Sequence, residues 1–195
     1  MSNAAGDPVS ELTVLQAVRL KGRVSAHDLA ATLAEDVTNP VERLVESGLL
    51  IEGTTLRISQ SGRVRLDELL TEERAGVDAA ALAAACDDFH SVNTDFKMLV
   101  TDWQLNRDAA ALARMDGVHE RVLPIIAAAA AQLPRLDAYR AKLHAALEKI
   151  KAGDTAWLTR PLVDSYHTVW FELHAELILA SGLTREQAAR SGDAQ

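Results

Sequence analysis

The stretch from Val24 to Gly62 constrains this chain most, because its local signals fall in one fixed order. Ser25 suits the N-cap of a short helix carrying Leu29, Ala30 and Leu33 on one face. Asn39-Pro40 then opens a second helix, Asn39 as N-cap and Pro40 at the first helical position, where a missing N–H costs nothing. That helix runs through Val41, Leu44 and Val45 and stops at Ser47-Gly48, since glycine favours the position past a helix end. Leu49-Leu50-Ile51-Glu52, Gly53-Thr54 and Thr55-Leu56-Arg57-Ile58 read as two short strands around a turn dipeptide. Ser59-Gln60-Ser61-Gly62 closes the hairpin and starts a further helix. Helix, turn, helix and hairpin thus follow each other without a gap.

Upstream, Glu11 to Leu20 places Leu12, Leu15, Ala17 and Val18 at helical spacing, and Lys21-Gly22 ends the pattern. Met1 to Val9 reads as a loose tail. Downstream, Gly62 to Arg74 keeps Val64, Leu66, Leu69 and Leu70 on one stripe before Ala75-Gly76 breaks it. The fold class expected is mainly α: a winged helix-turn-helix with a small β-hairpin wing over residues 10–75, then an all-α bundle over 76–190.

In the bundle, Asp78 caps a helix from Ala79 to about Ser91, and Asn93-Thr94 marks a kink before Asp95 to Leu105. Asn106-Arg107-Asp108 connects to a short piece, Ala109 to Met115. Asp116-Gly117 reads as a turn before a helix from Val118 to Leu133, with Pro124 in its first turns or kinking it. Leu136 to Lys151 carries Leu136, Tyr139, Leu143, Ala146, Leu147 and Ile150 on one face. Asp154 caps a segment to Arg160, Pro161 opens the longest helix, Leu162 to Ala180, and Thr184 to Gln195 starts helical and frays.

Composition narrows the function classes. Hydrophobic residues make up 48% of the chain, enough for a sizeable core, and Cys86 is the single cysteine, which excludes an intramolecular disulfide or a cysteine-built zinc site. Met1 to Pro8 has no basic start or apolar run, and Val122 to Ala131 is too short for a bilayer, which needs about 20 residues. A cytoplasmic protein without a membrane partner is expected. No glycine-rich phosphate loop, nucleophile elbow or metalloprotease motif occurs, so neither catalysis nor a cofactor is expected.

The net charge is −8, and residues 1–75 hold eight Arg or Lys against twelve Asp or Glu. A phosphate-contacting domain normally carries a basic face, so any cations used on DNA must cluster locally. The helix Asn39 to Glu46 would enter a major groove with Asn39 and Arg43, beside Glu42. Thr54 and Arg57 lie on or near the hairpin, and Arg63 and Arg65 follow it; the remaining arginines would contact phosphate. The alternative use of the same surface is dimerisation or docking on another protein.

All eight aromatic residues (Phe89, Phe96, Trp103, Tyr139, Trp157, Tyr166, Trp170 and Phe171) and five of the six histidines lie in the second half. Ligand sites are apolar with a few convergent polar groups, so a small ligand would bind there. His167, Trp170, Phe171 and His174 share one helical face. Seven residues separate the histidines, about 10.5 Å at 1.5 Å per residue, too far for one compact metal site. Buried histidines hydrogen-bonded to Asp164 or Glu176 are expected instead. Arg160, near Trp157 and Trp170, either clamps a small anionic effector with the helix dipole behind it, or stacks on an indole. The ligand-binding set would then be Trp103, Arg160, His167, Trp170 and His174. The five alanines Ala127 to Ala131 leave a thin helix suited to a close contact in a homodimer.

Residues 11–74 resemble winged-helix regulators of the MarR and PadR kind. The likeness rests on Val24-Ser25…Leu29-Ala30, on Leu44-Val45-Glu46-Ser47-Gly48-Leu49-Leu50 and on Ile58-Ser59-Gln60-Ser61-Gly62-Arg63. It implies operator binding by a dimer. Asp87-Asp88-Phe89-His90 and Ile150-Lys151-Ala152-Gly153-Asp154 look similar to segments of metal-dependent GntR effector domains, but position 86, four before His90, is Cys where that family has Asp. Arg19-Leu20-Lys21-Gly22-Arg23 and Val100-Thr101-Asp102-Trp103-Gln104-Leu105 resemble helical modules that accompany phosphoenolpyruvate-utilising enzymes, which implies an accessory protein docking on protein.

Overall fold

The computed structural model describes residues 9–106, 109–161 and 163–182. They are mainly helical, with one small two-stranded antiparallel sheet, and divide into two compact units, Met1–Glu72 and Glu73–Gln195.

In the first unit, α1 (Glu11–Lys21) is capped by Ser10, whose hydroxyl accepts from the Thr13 N–H at 3.1 Å, and ends at Gly22 with φ +71°. Ser25 caps α2 (Ala26–Leu33), accepting from the Asp28 N–H at 3.0 Å. After α3 (Thr38–Glu46) the chain turns through Ser47 and Gly48 into β1 (Leu50–Ile51) and β2 (Arg57–Ile58), in register Leu50 to Ile58 and Ile51 to Arg57. The turn is longer than Gly53-Thr54 implies, because Leu56 leaves the hairpin ladder and pairs in both directions with Val24, at 2.8 and 3.3 Å. Helix α4 (Gln60–Arg74) follows. Val14, Leu15, Val18, Leu29, Val41, Leu44, Leu50, Leu66 and Leu70 form an aliphatic core. Val64, expected on the buried stripe of α4, is instead exposed.

One node fixes the hairpin to α4. Ser59 donates its hydroxyl to the Gly48 carbonyl at 2.7 Å and accepts the Gly62 N–H at 2.9 Å, while its own N–H bonds the Leu49 carbonyl. A Cβ at Gly62 would stand 2.1 Å from the Leu49 carbonyl oxygen, so only glycine fits.

The expected cap of α3 is corrected. Helix α3 starts at Thr38, one residue before Asn39, and the Asp36 carboxylate takes the Thr38 N–H at 2.9 Å. That bond holds the Asp36 carboxyl below the usual carboxylate range. Pro40 sits buried inside the first turn, where an N–H is still unneeded.

The second unit is a bundle of α5 (Ala79–Asn106), α6 (Ala109–Ala113), α7 (Met115–Gln132), α8 (Ala138–Lys151) and α9 (Tyr166–Ala180), with 3-10 segments at Pro134–Asp137 and Thr155–Leu158. Helix α5 packs on α7 and α9, and α8 on α7 and α9. The face Leu136, Tyr139, Leu143, Ala146, Leu147 and Ile150 is buried as its spacing implies. Three expectations fail. No break occurs at Asn93-Thr94: Asn93 is satisfied by Trp170, and the Thr94 hydroxyl bonds the His90 carbonyl one turn back. Asp116 and Gly117 lie in the first turn of α7 rather than in a turn before it, which puts Pro124 mid-helix. Helix α9 starts at Tyr166 behind a Ser165 cap, not at Pro161, so α5 is longer. Leu162, Arg107, Asp108, the tail at 1–8 and the segment 184–195 lie outside the described residues. Among the described residues no helix is long and apolar enough to cross a membrane.

Candidate functional site

The first unit presents α3 outward through Thr38, Asn39, Glu42, Arg43 and Glu46, while Pro40, Val41 and Leu44 face its core. Asn39 and Arg43 are one turn apart and therefore neighbours on the helix surface. Thr54 is exposed in the hairpin turn, Arg57 is exposed on β2 and Arg63 is exposed on the first turns of α4. Five of the six residues expected to touch DNA are thus solvent-facing.

Arg65 is the exception. Its Nε donates to Glu11 Oε1 at 3.2 Å and its Nη1 to Glu68 Oε2 at 3.1 Å, with Glu72 at 4.0 Å. These hydrogen bonds to Glu68 and Glu11 raise its pKa. A guanidinium shared among three carboxylates ties α4 to α1 and has little left for phosphate.

The bundle gathers some of its expected ligand residues and separates others. Trp170 is buried, its indole N–H donating to Asn93 Oδ1 at 2.9 Å, and its ring lies 4.4 Å from Phe96 and 4.9 Å from Phe89. His174 is buried and stacks on Phe89 at 5.3 Å. His167 meets Phe171 edge-on at 4.6 Å, and burial lowers its pKa. Trp103 is buried in the same core. Trp170, His174 and His167 thus pack against Phe89 or Phe96 of α5, while Trp103 is a core residue of the same bundle. His119 places Nδ1 3.2 Å from the Tyr166 hydroxyl of α9, and burial, then His144, lowers its pKa.

Arg160 stands apart from that cluster. Its Nη2 pairs with Asp154 at 3.3 Å, and its guanidinium lies 5.6 Å from the Trp157 ring, over which Lys149 also sits at 3.3 Å. Asp154 makes no cap bond to the following segment, and α9 begins six residues after Arg160, at Tyr166 behind the Ser165 cap. The structure therefore places Arg160 beside an indole and a carboxylate, and the helix start expected directly after it lies at Tyr166 instead.

One buried polar group was invisible in the sequence. Arg135 forks onto Glu73 at 2.8 and 3.0 Å and reaches Glu176 at 2.7 Å. Burial opposes its charge, but the two carboxylates overcome that and hold it above the ordinary arginine value. Beside it, burial and then Glu176 and Glu172 push the Tyr139 hydroxyl well up. Partners at positions 73, 135 and 176 leave no spacing signal in a sequence. Among the described residues no group of three His, Cys, Asp or Glu side chains is placed to hold a metal ion. Comparison with protein-family models, characterised proteins and solved structures finds no significant match.

Proposed function

We propose that the first unit is a winged helix that docks on DNA, and that the chain acts as a homodimeric transcriptional regulator whose bundle supplies dimerisation. The observation that carries this reading is the solvent-facing set Asn39 and Arg43 on α3, with Thr54 and Arg57 on the hairpin of the same small unit. An exposed helix of this length fits a major groove, where Asn reads adenine and Arg reads guanine. Arg57 and Arg63 would hold phosphates and set orientation. The order α1, Val24 bridge, α2, α3, hairpin, α4 supports the winged-helix reading. The homodimer follows from paired half-sites, which need two recognition helices about 34 Å apart.

A second reading has its own support. Glu42 and Glu46 flank Arg43 on the exposed face of α3, and the apolar Ile51 is exposed on β1. Carboxylates beside an apolar side chain suit a protein partner better than phosphate, as in an accessory module of a metabolic enzyme. A mobility-shift assay at low salt on genomic fragments separates the two. Specific shifts abolished by Arg43→Ala support DNA binding, while an unshifted wild-type protein overturns it.

A further inference from the structure

The arginines of this chain divide by unit. In the second, Arg114, Arg121, Arg140 and Arg160 each pair with an aspartate, Arg135 pairs with two glutamates, and Arg74 donates to the Leu179 carbonyl. In the first, Arg65 is held by glutamates. Arg23, Arg43, Arg57 and Arg63, by contrast, make no ion pair or side-chain hydrogen bond among the described residues. All four are exposed, in a unit whose Asp and Glu outnumber its Arg and Lys. With carboxylates that plentiful, four unpaired guanidiniums leave room for an anion from outside the chain.

The backbone brings two of the four together. Val24 and Leu56 exchange both backbone hydrogen bonds in an antiparallel bridge, and both side chains are buried. Continued by one residue, that pairing sets Arg23 opposite Arg57, while Ile51 lies opposite Arg57 on its other side. Residues directly opposite have Cβ atoms about 4.5–5.5 Å apart, and like charges there are destabilising. No carboxylate relieves the pair. Asp28, the acid that follows Arg23 most closely, accepts the Ser25 hydroxyl at the α2 cap. Glu52, next to Ile51, makes no ion pair among the described residues.

We propose that Arg23 and Arg57 together grip one phosphodiester of bound DNA, with Arg23 as a contact from outside the recognition helix and the hairpin. A phosphate presents oxygens to two guanidinium forks at once, and its charge replaces their mutual repulsion with attraction to a shared partner. Arg23 precedes α2 and Arg57 lies on β2, so one phosphate held by both ties the hairpin to the start of the helix-turn-helix and fixes its orientation on the duplex. Arg43 and Arg63, also unpaired, lie on α3 and α4. Cations spread over several elements suit a row of backbone phosphates better than a single acidic side chain.

The inference rests on the DNA reading of the first unit, and its test separates the two. In anisotropy titrations of the full chain on a labelled genomic duplex over a salt series, Arg23→Ala is expected to bring the salt slope of the dimer from about −4 to about −2, the value expected for Arg57→Ala. Because one phosphate is shared, the double variant Arg23→Ala/Arg57→Ala should lower the slope no further than either single change. Arg140→Ala, which removes an exposed charge from the bundle, should leave it unchanged. Without DNA, Arg23→Gln should raise the urea midpoint at low salt but not at high salt, since it removes a screened repulsion, and it shows that the variant folds. A midpoint that does not rise overturns the juxtaposition. DNA binding with a slope indifferent to Arg23→Ala overturns the clamp and leaves the DNA reading standing. A double variant that loses the sum of the two single effects puts the arginines on separate phosphates and overturns the shared one. An equal fall with Arg140→Ala traces the effect to net charge and overturns the clamp as well. A wild type that binds polyglutamate but no duplex removes the clamp and the DNA reading together, in favour of a protein partner.

Discussion

At the scale of single residues, Gly62 and His119 decide more than their neighbours. A β-carbon at Gly62 would meet the Leu49 carbonyl oxygen at 2.1 Å and Ile58 Cγ1 at 2.9 Å, and the first of these is backbone. Relief therefore requires the hairpin and α4 to separate. Gly62→Ala is expected to destabilise the first unit by about 2–3 kcal/mol, in the range of overpacked cores, as measured by chemical denaturation. His119 acts through protonation. Burial lowers its pKa in the folded bundle, as it does for His167, so the unfolded chain binds more protons below the ordinary histidine value of 6.5. Stability is then fully present above that value and falls as the pH drops through it. Melting temperature should decline on acidification from pH 7 to 5. A His119→Gln variant, which cannot titrate, should show a shallower decline, and an unchanged profile would exclude His119 as the source.

Among the elements, α5 shows what a sequence hides. Asn93-Thr94 is a sound break signal in isolation, because both side chains compete for backbone hydrogen bonds. The competition is settled 77 positions away, where Trp170 donates to the Asn93 amide oxygen and leaves the helix whole. Asn93→Leu should thus cost about 1–3 kcal/mol by stranding a buried indole N–H, and Trp170→Phe in the same chain should recover part of that loss. A double-mutant cycle by urea unfolding measures the coupling. The Ser25 cap, the stop at Ser47-Gly48 and the apolar face of α8 were legible because they depend on residues within a few positions, whereas the Asn39 cap and the Asp116-Gly117 turn failed even at short range. The start of α9 was misplaced because Pro161 and Ser165 both offer a helix start, and only the second has Thr168 to complete its cap. The candidate site followed the same rule. Exposure of Asn39, Arg43 and Arg57 follows from periodicity, whereas the Arg65 pairing with Glu11 spans 54 positions and Arg160 was drawn toward Trp157 by folding.

On the scale of the whole molecule, charge sets the terms on which DNA can be bound. The chain carries −8, and the first unit offers Arg57 and Arg63 as exposed phosphate contacts once Arg65 is committed to glutamates. A dimer doubles that small number, and doubles the net negative charge with it. With four phosphates neutralised, the logarithm of the binding constant should fall with the logarithm of salt at a slope of about −4. Arg57→Ala in the dimer removes two of those contacts and should bring the slope to about −2, whereas Arg43→Ala should cost about 1–3 kcal/mol of sequence discrimination. Fluorescence anisotropy titrations over a salt series, on one labelled operator fragment, read both quantities. The predicted shallow slope matters as much as its sign, because an acidic protein with few phosphate contacts gains little from non-specific binding. In the proposed complex, occupancy of DNA would then come from base contacts through α3. A salt slope near zero would remove phosphate from the interface and leave the exposed carboxylates of α3 to a protein partner.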